Sequence, residues 1–201
     1  MIDKKALREI ILRREYKKLE EFNLRKIATS TISFLYSDEP EVFLFAEALG
    51  YVCGLIEQGG EVEFVRGILR RLFWHLRDES GAYCRGAPLG IGEIGRRCPL
   101  AFEGFKNMLV SLLENDEVEV EYVIYAIGVC GRSIKSAYPS PVEELKKFLR
   151  SDNPKVVAYT IVSLQRLGYD VSSELNLDLK NKVRIYRNGM MEEVMLSELL
   201  V

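Results

Sequence analysis

The sequence predicts an all-α protein, a short α-solenoid of antiparallel helix pairs with a small β-hairpin near its C-terminal end. Three observations predict it. Similar five-residue strings recur at a near-fixed distance. Apolar residues at 3–4 spacing fill the stretches between them. An Asn-Gly pair, Asn188-Gly189, stands between two extended-looking runs. The strings are ALGYV from Ala48, GIGEI from Gly90, AIGVC from Ala126 and SLQRL from Ser163, with starts 42, 36 and 37 residues apart. A period of this size is the signature of stacked helical repeats.

Residues 3–20 read as one amphipathic helix, with Leu7, Ile10, Ile11 and Leu19 inward, that covers the open end of the stack. Its lysines and arginines are interleaved with acids and read as a solvated face. First helices are expected at 22–36, 61–77, 101–114 and 141–150, and second helices at 41–57, 86–97, 118–131 and 154–168. In EVEFVRGILRRLFWHL, for example, Val62, Val65, Leu69, Leu72, Phe73 and Leu76 fall on one stripe. Ser-Asp-x-Pro precedes the first and the last of the second helices, as expected where a capped turn starts a helix. The helical part is expected over 1–171 and the hairpin appendage over 172–201. In the hairpin, Asn188 and Gly189 both accept the positive φ of a type I′ turn. A two-residue loop sets Arg184 opposite Glu193 and Tyr186 opposite Met191. An isolated hairpin is marginal in water, so this one must dock.

The string PKVVAYTIVSLQRLG, from Pro154, resembles a HEAT-like repeat of the bilin-lyase (PBS lyase) type. It departs from that pattern at Val157, where the repeat carries Arg, and at Gln165, where it carries Gly. The resemblance covers roughly residues 22–168. It implies the paired-helix fold and almost nothing about activity, because such repeats serve many tasks. Trp74–Pro99 is also similar to a segment of prokaryotic HEAT-like proteins, a likeness that implies no activity.

Composition narrows the function. The chain has 201 residues, 48% of them apolar and 29% charged, enough for a real core. A net charge of −2 counts against a nucleic-acid partner. The longest apolar run, FLFAEALGYVCGLI, is broken by Glu47 and is too short to span a membrane. The N-terminal residues show no apolar signal core, so a cytoplasmic protein is expected. Cys53, Cys84, Cys98 and Cys130 form no C-x-x-C, and there is one His, so neither a metal nor a cofactor is expected. No hydrolase, metalloprotease or phosphate-loop motif appears, and GIGEIG lacks the strand a dinucleotide loop requires.

The segment WHLRDESGAYCRGAPLGIGEIGRRCP, Trp74–Pro99, gathers a lone Trp, the only His, and four glycines inside an expected helix. Gly90 and Gly95 flank the core stripe of that helix, whereas Gly86 and Gly92 fall off it. Glycine on an exposed face would let a ligand approach the backbone. The helix start beside Arg85 and Gly86 would suit an anion, unless Asp78, Glu79 or Ser80 folds back to cap it. Trp74 lies on a polar helix face, with the loop 78–85 and Tyr83 as its expected cover. His75 reads as a packed residue. Glu93 is the natural general base if there is chemistry, although an i,i+4 pair with Arg97 accounts for it equally. The expected binding residues are therefore Trp74, Asp78, Glu79, Arg85, Gly86 and Glu93. The function expected is a protein-binding scaffold working through the grooved face of the second helices. An enzyme or lyase-like, cofactor-handling accessory with its site at Trp74–Glu93 is the first rival, and a DNA-binding HEAT-like protein the second.

Overall fold

The computed structural model describes residues 2–76, 83–172 and 180–200. They form a mostly helical protein with one small antiparallel sheet. Helix α1 (Lys4–Leu12) starts where the Asp3 carboxylate accepts the Ala6 N–H at 2.8 Å. It is shorter than the helix expected over 3–20. Arg14 takes a left-handed φ of 59°, which ends the helix, and a 3-10 turn follows over Tyr16–Glu21. Then come α2 (Leu24–Ile32), α3 (Glu41–Gln58), α4 (Val62–Trp74) and α5 (Ala87–Arg97). The helix expected over 101–114 is instead two pieces, α6 (Pro99–Phe102) and α7 (Lys106–Ser111). The break at Glu103–Phe105 holds Gly104, a poor helix former, and lets the Phe105 ring stack on Phe73 at 5.8 Å. The remaining helices are α8 (Val120–Cys130), α9 (Pro141–Lys146) and α10 (Pro154–Arg166). Asn153 caps α10 by accepting the Lys155 N–H at 3.0 Å, with Pro154 at the first position. Pro40 sits one residue ahead of α3, and no side chain caps that helix.

Helices α3, α5, α8 and α10 pack side by side in chain order. α2 packs on α4 and α4 on α6 along one flank. The packed row explains the glycines. A Cβ built on Gly50 of α3 would lie 2.6 Å from the Glu93 carbonyl oxygen of α5. One on Gly92 of α5 would lie 2.5 Å from Ala126 Cα of α8, and one on Gly128 of α8 2.7 Å from Ser163 Cα of α10. Each is the third residue of its repeated string. Backbone meets side-chain base at these points, and no methyl fits.

The expectation that Gly86 and Gly92 lie exposed is therefore overturned. Residues Ala87–Gly95 are buried on every side of α5. The Gly86 N–H donates to the Leu35 carbonyl at 3.0 Å, and a Cβ there would sit 2.5 Å from that oxygen. What approaches these glycines is the protein's own chain.

Strands β1 (Lys182–Arg187) and β2 (Met190–Met195) pair antiparallel, with Arg184 opposite Glu193 and Tyr186 opposite Met191. Asn188 and Gly189 have φ of 53° and 86°, as the tight turn requires. Ile185 and Tyr186 are buried against the helices. The Tyr186 N–H donates to the Tyr159 hydroxyl at 2.9 Å, and the Tyr186 ring stacks on Phe43 of α3 at 4.4 Å. The hairpin thus reaches from α10 across to α3, on the side of the helix row that was expected to be an open groove.

Two glycine substitutions separate packing from propensity. Gly92→Ala is expected to cost about 1–3 kcal/mol, because α5 and α8 must move apart. Gly67→Ala in α4, where nothing lies within 4 Å of the new Cβ, is expected to add about 0.5–1 kcal/mol through helix propensity. Urea unfolding of the two variants beside the parent checks both signs.

Candidate functional site

The structure disperses the residues expected to form one site. Trp74 stands at the end of α4 with 62% of its surface exposed, its ring edge-on to His75. Asp78 and Glu79 lie outside the described residues, as does Ser80. Tyr83, expected to cover Trp74, instead hydrogen-bonds Glu119 at the start of α8. Arg85 also pairs with Glu119, at 2.8 Å, and more loosely with Asp38, at 3.8 Å. Gly86 is closed off by Leu35 and Val42. Among the described residues no side chain caps α5, and the Leu35 carbonyl already takes the N–H that an anion beside Gly86 would have needed.

Glu93 is elsewhere again. It is 1% exposed, not on a helix surface. Its partner is Arg96, three residues on, at 2.5 Å, rather than Arg97. Its other oxygen accepts from the Tyr125 hydroxyl at 3.4 Å. Arg97 turns over the Tyr51 ring instead, at 5.8 Å.

Glu93 borders a cavity of about 320 Å³ between the helix row and the hairpin. α3 supplies Glu47, α5 supplies Glu93 and Arg96, α8 supplies Tyr125, α10 supplies Arg166, and the hairpin supplies Tyr186 and the turn Asn188-Gly189. Val129 of α8 forms part of the wall. Glu47 accepts from the Tyr186 hydroxyl at 2.7 Å and from the Tyr16 hydroxyl at 3.1 Å. Arg14 bonds the Tyr186 hydroxyl at 2.5 Å, bonds the Gly189 carbonyl, and lies 3.6 Å from Glu47. Here is the counterpart of the left-handed Arg14 backbone: the turn that ends α1 aims this guanidinium at the hairpin tip.

Burial dominates the electrostatics. It pushes the Glu93 carboxyl above the ordinary glutamate range, against the pull of Arg96 and Arg97, and Glu47 adds to the rise. Burial, then the Glu47 charge, pushes the Tyr186 and Tyr16 hydroxyls up, so both remain donors to Glu47. All four cysteines are buried free thiols, each pushed up chiefly by burial, and none is an activated nucleophile. Among the described residues no cluster of His, Cys, Asp or Glu could hold a metal ion, and no helix is long and apolar enough to cross a membrane.

Of the expected residues that the structure describes, Trp74, Arg85, Gly86 and Glu93, only Glu93 lines this cavity. Glu47, Arg96, Tyr125, Arg166 and Tyr186 were missed, as was Arg14, which braces the hairpin tip beside it. Glu47 did carry a signal, as the acid that interrupts the longest apolar run. Tyr186 and Arg166 carried none, since only the tertiary docking of the hairpin brings them together.

The fold and cavity define a helical protein whose C-terminal hairpin roofs a polar site on its packed helix row. A protein of Archaeoglobus fulgidus described as uncharacterized is 45% identical over 184 residues, which cover 89% of this chain and 97% of that protein. The chain belongs to the same family as that archaeal protein. No family model matches the chain, and no solved structure matches it.

The raised Glu93 carboxyl has a consequence for stability. The folded chain holds this proton at pH values where the unfolded chain, near the ordinary value of about 4.3, has released it. The contribution is fully present below the unfolded value and is lost as pH rises through the folded one. Across that window the parent is expected to lose stability relative to Glu93→Gln, whose amide does not titrate. Urea midpoints of both proteins from pH 4 upward check it, and parallel curves would contradict it.

Proposed function

We propose that this chain is a ligand-binding module, a short HEAT-like solenoid that holds a small polar molecule between its second helices and the hairpin. The row α3–α5–α8–α10 and the repeated glycine positions support the solenoid reading. The cavity carries the functional reading. At about 320 Å³ it falls in the size range of small-molecule sites. It is bordered by groups from four helices and a hairpin, and its acids are held in place by tyrosines and arginines. A protein segment lying along an open groove is a poorer fit, because the hairpin occupies that side. Nucleic acid gains no support either, since Arg14 and Arg96 lie beside carboxylates.

A thermal-shift screen of small organic acids, phosphates, sugars and amines tests this. A ligand at about 100 times its Kd adds about 2.7 kcal/mol. In a chain of this length that raises Tm by roughly 5–10 °C. The expected hit should disappear in Val129→Trp, which fills the cavity from its wall. A screen with no stabilising compound, or a hit that survives Val129→Trp, would sink the reading.

A second reading keeps the protein partner but moves it to the exposed Trp74. Large exposed aromatics are favoured anchors at protein interfaces. Trp74→Ala is then expected to abolish co-purification of a partner while changing stability by no more than about 0.5 kcal/mol. A large loss of stability would instead mean that Trp74 is a packing residue.

A further inference from the structure

We propose that the cavity selects a ligand by an anionic group, and that Arg166 is the residue that reads it. The proposal rests on the cavity being the ligand site. It comes from matching donors to acceptors around the cavity. Both acids are already engaged. One oxygen of Glu47 accepts from Tyr186 and the other from Tyr16. One oxygen of Glu93 accepts from Arg96 and the other from Tyr125. A cationic ligand would have to displace these partners.

The donors are in surplus. A guanidinium carries five N–H groups. Arg96 spends one nitrogen on Glu93. Arg166 pairs with no carboxylate among the described residues. Its guanidinium lies over the Tyr125 ring, 5.5 Å from the centroid, which holds the charge at the cavity without neutralising it. Arg166 is exposed and holds no carboxylate among the described residues, so an anion can pair with it without displacing one. Asn188 at the hairpin tip borders the same space and adds an amide. Among the described residues Arg150 likewise pairs with no carboxylate, but it does not line the cavity, whereas Arg166 does. A planar guanidinium favours bidentate pairing with a carboxylate or phosphate. The ligand class is thus a small molecule ending in one of these two groups.

Calorimetric titration of the full chain tests this with four probes: inorganic phosphate, malonate, the neutral malonamide and the cationic ethylenediamine. At least one anion is expected to bind saturably, and the preferred one says whether phosphate or carboxylate is read. Arg166→Gln should weaken that binding at least about tenfold. Arg166→Lys should retain part of it, and Arg150→Gln should leave it unchanged. Unaltered anion binding by Arg166→Gln, or an equal loss in Arg150→Gln, would overturn the proposal. So would binding of only the neutral or cationic probe. If that binding is lost in Val129→Trp, the cavity survives as a ligand site and the anion preference alone has failed. If no probe binds, the anion preference has failed, and the cavity is judged by the thermal-shift screen.

Discussion

Close approach of the neighbouring helices α3, α5, α8 and α10 is the constraint on which this molecule depends. Gly50, Gly92 and Gly128 each let the next helix come within van der Waals contact of a backbone. Their cost is real, because glycine inside a helix loses about 1 kcal/mol relative to alanine. The close packing that results offsets it. α5 feels the constraint most, lying between α3 and α8 with α4 and α6 also against it. Glycines crowd into Gly86–Gly95 because this helix has neighbours on every side. The row ends where the pattern ends. The fourth string has Gln165 at the glycine position, and among the described residues no α-helix follows α10. Its amide instead donates to the Leu199 carbonyl at 2.5 Å, tying down the C-terminal turn.

The same packing fixes the cavity. Glu93 follows Gly92, the point where α5 meets Ala126, and its own carbonyl faces Gly50. A side chain held between two backbone contacts has little freedom, and a site built on such positions is preorganised. The burial that raises the Glu93 carboxyl is a by-product of the helix spacing. Glu47 is treated differently. Lying on α3 where the hairpin crosses, it is surrounded by donors that arrive from outside the helix row: Tyr186, Tyr16 and Arg14. The two acids border one cavity, yet helix packing holds one and chain ends hold the other.

Much of the fold was legible in the residues. The period of the four strings placed α3, α5, α8 and α10, and Asn188-Gly189 placed the turn and the strand register. Those features are local, or repeat, so spacing alone carries them. Helix breaks were less legible. Nothing near Arg14 marks a stop, because its left-handed backbone is offset by bonds to a hairpin more than 170 residues away. The glycines of α5 were visible but misread. A helical wheel assumes one buried stripe, and a helix enclosed on all sides has no exposed face for Gly86 or Gly92 to occupy. Glu93 was singled out as a candidate base, but the surface pair with Arg97 offered as its alternative is not there, because the side chain is buried and pairs with Arg96. Arg166 and Tyr186 have no sequence signature, since their meeting is purely tertiary.

The cavity has a floor from the middle of the chain and a roof from its end, and the latch between them comes from its beginning. Arg14 joins the three, because its guanidinium bonds the hairpin tip and lies beside Glu47 of the floor. A hairpin alone is marginal in water, so its strands persist only while Tyr186 and Ile185 stay buried on the helices. Fully burying a side chain such as Ile185 contributes about 1.5–3 kcal/mol, enough to hold a two-stranded sheet in place but not to lock it. The polar contacts of Arg14 and Glu47 sit at the tip, where the apolar contacts have run out. They set the height of the roof over Glu93 and Arg166. The hairpin's apolar body anchors it to α10 and α3, and the charged cluster at its tip determines how much space the cavity has beneath it.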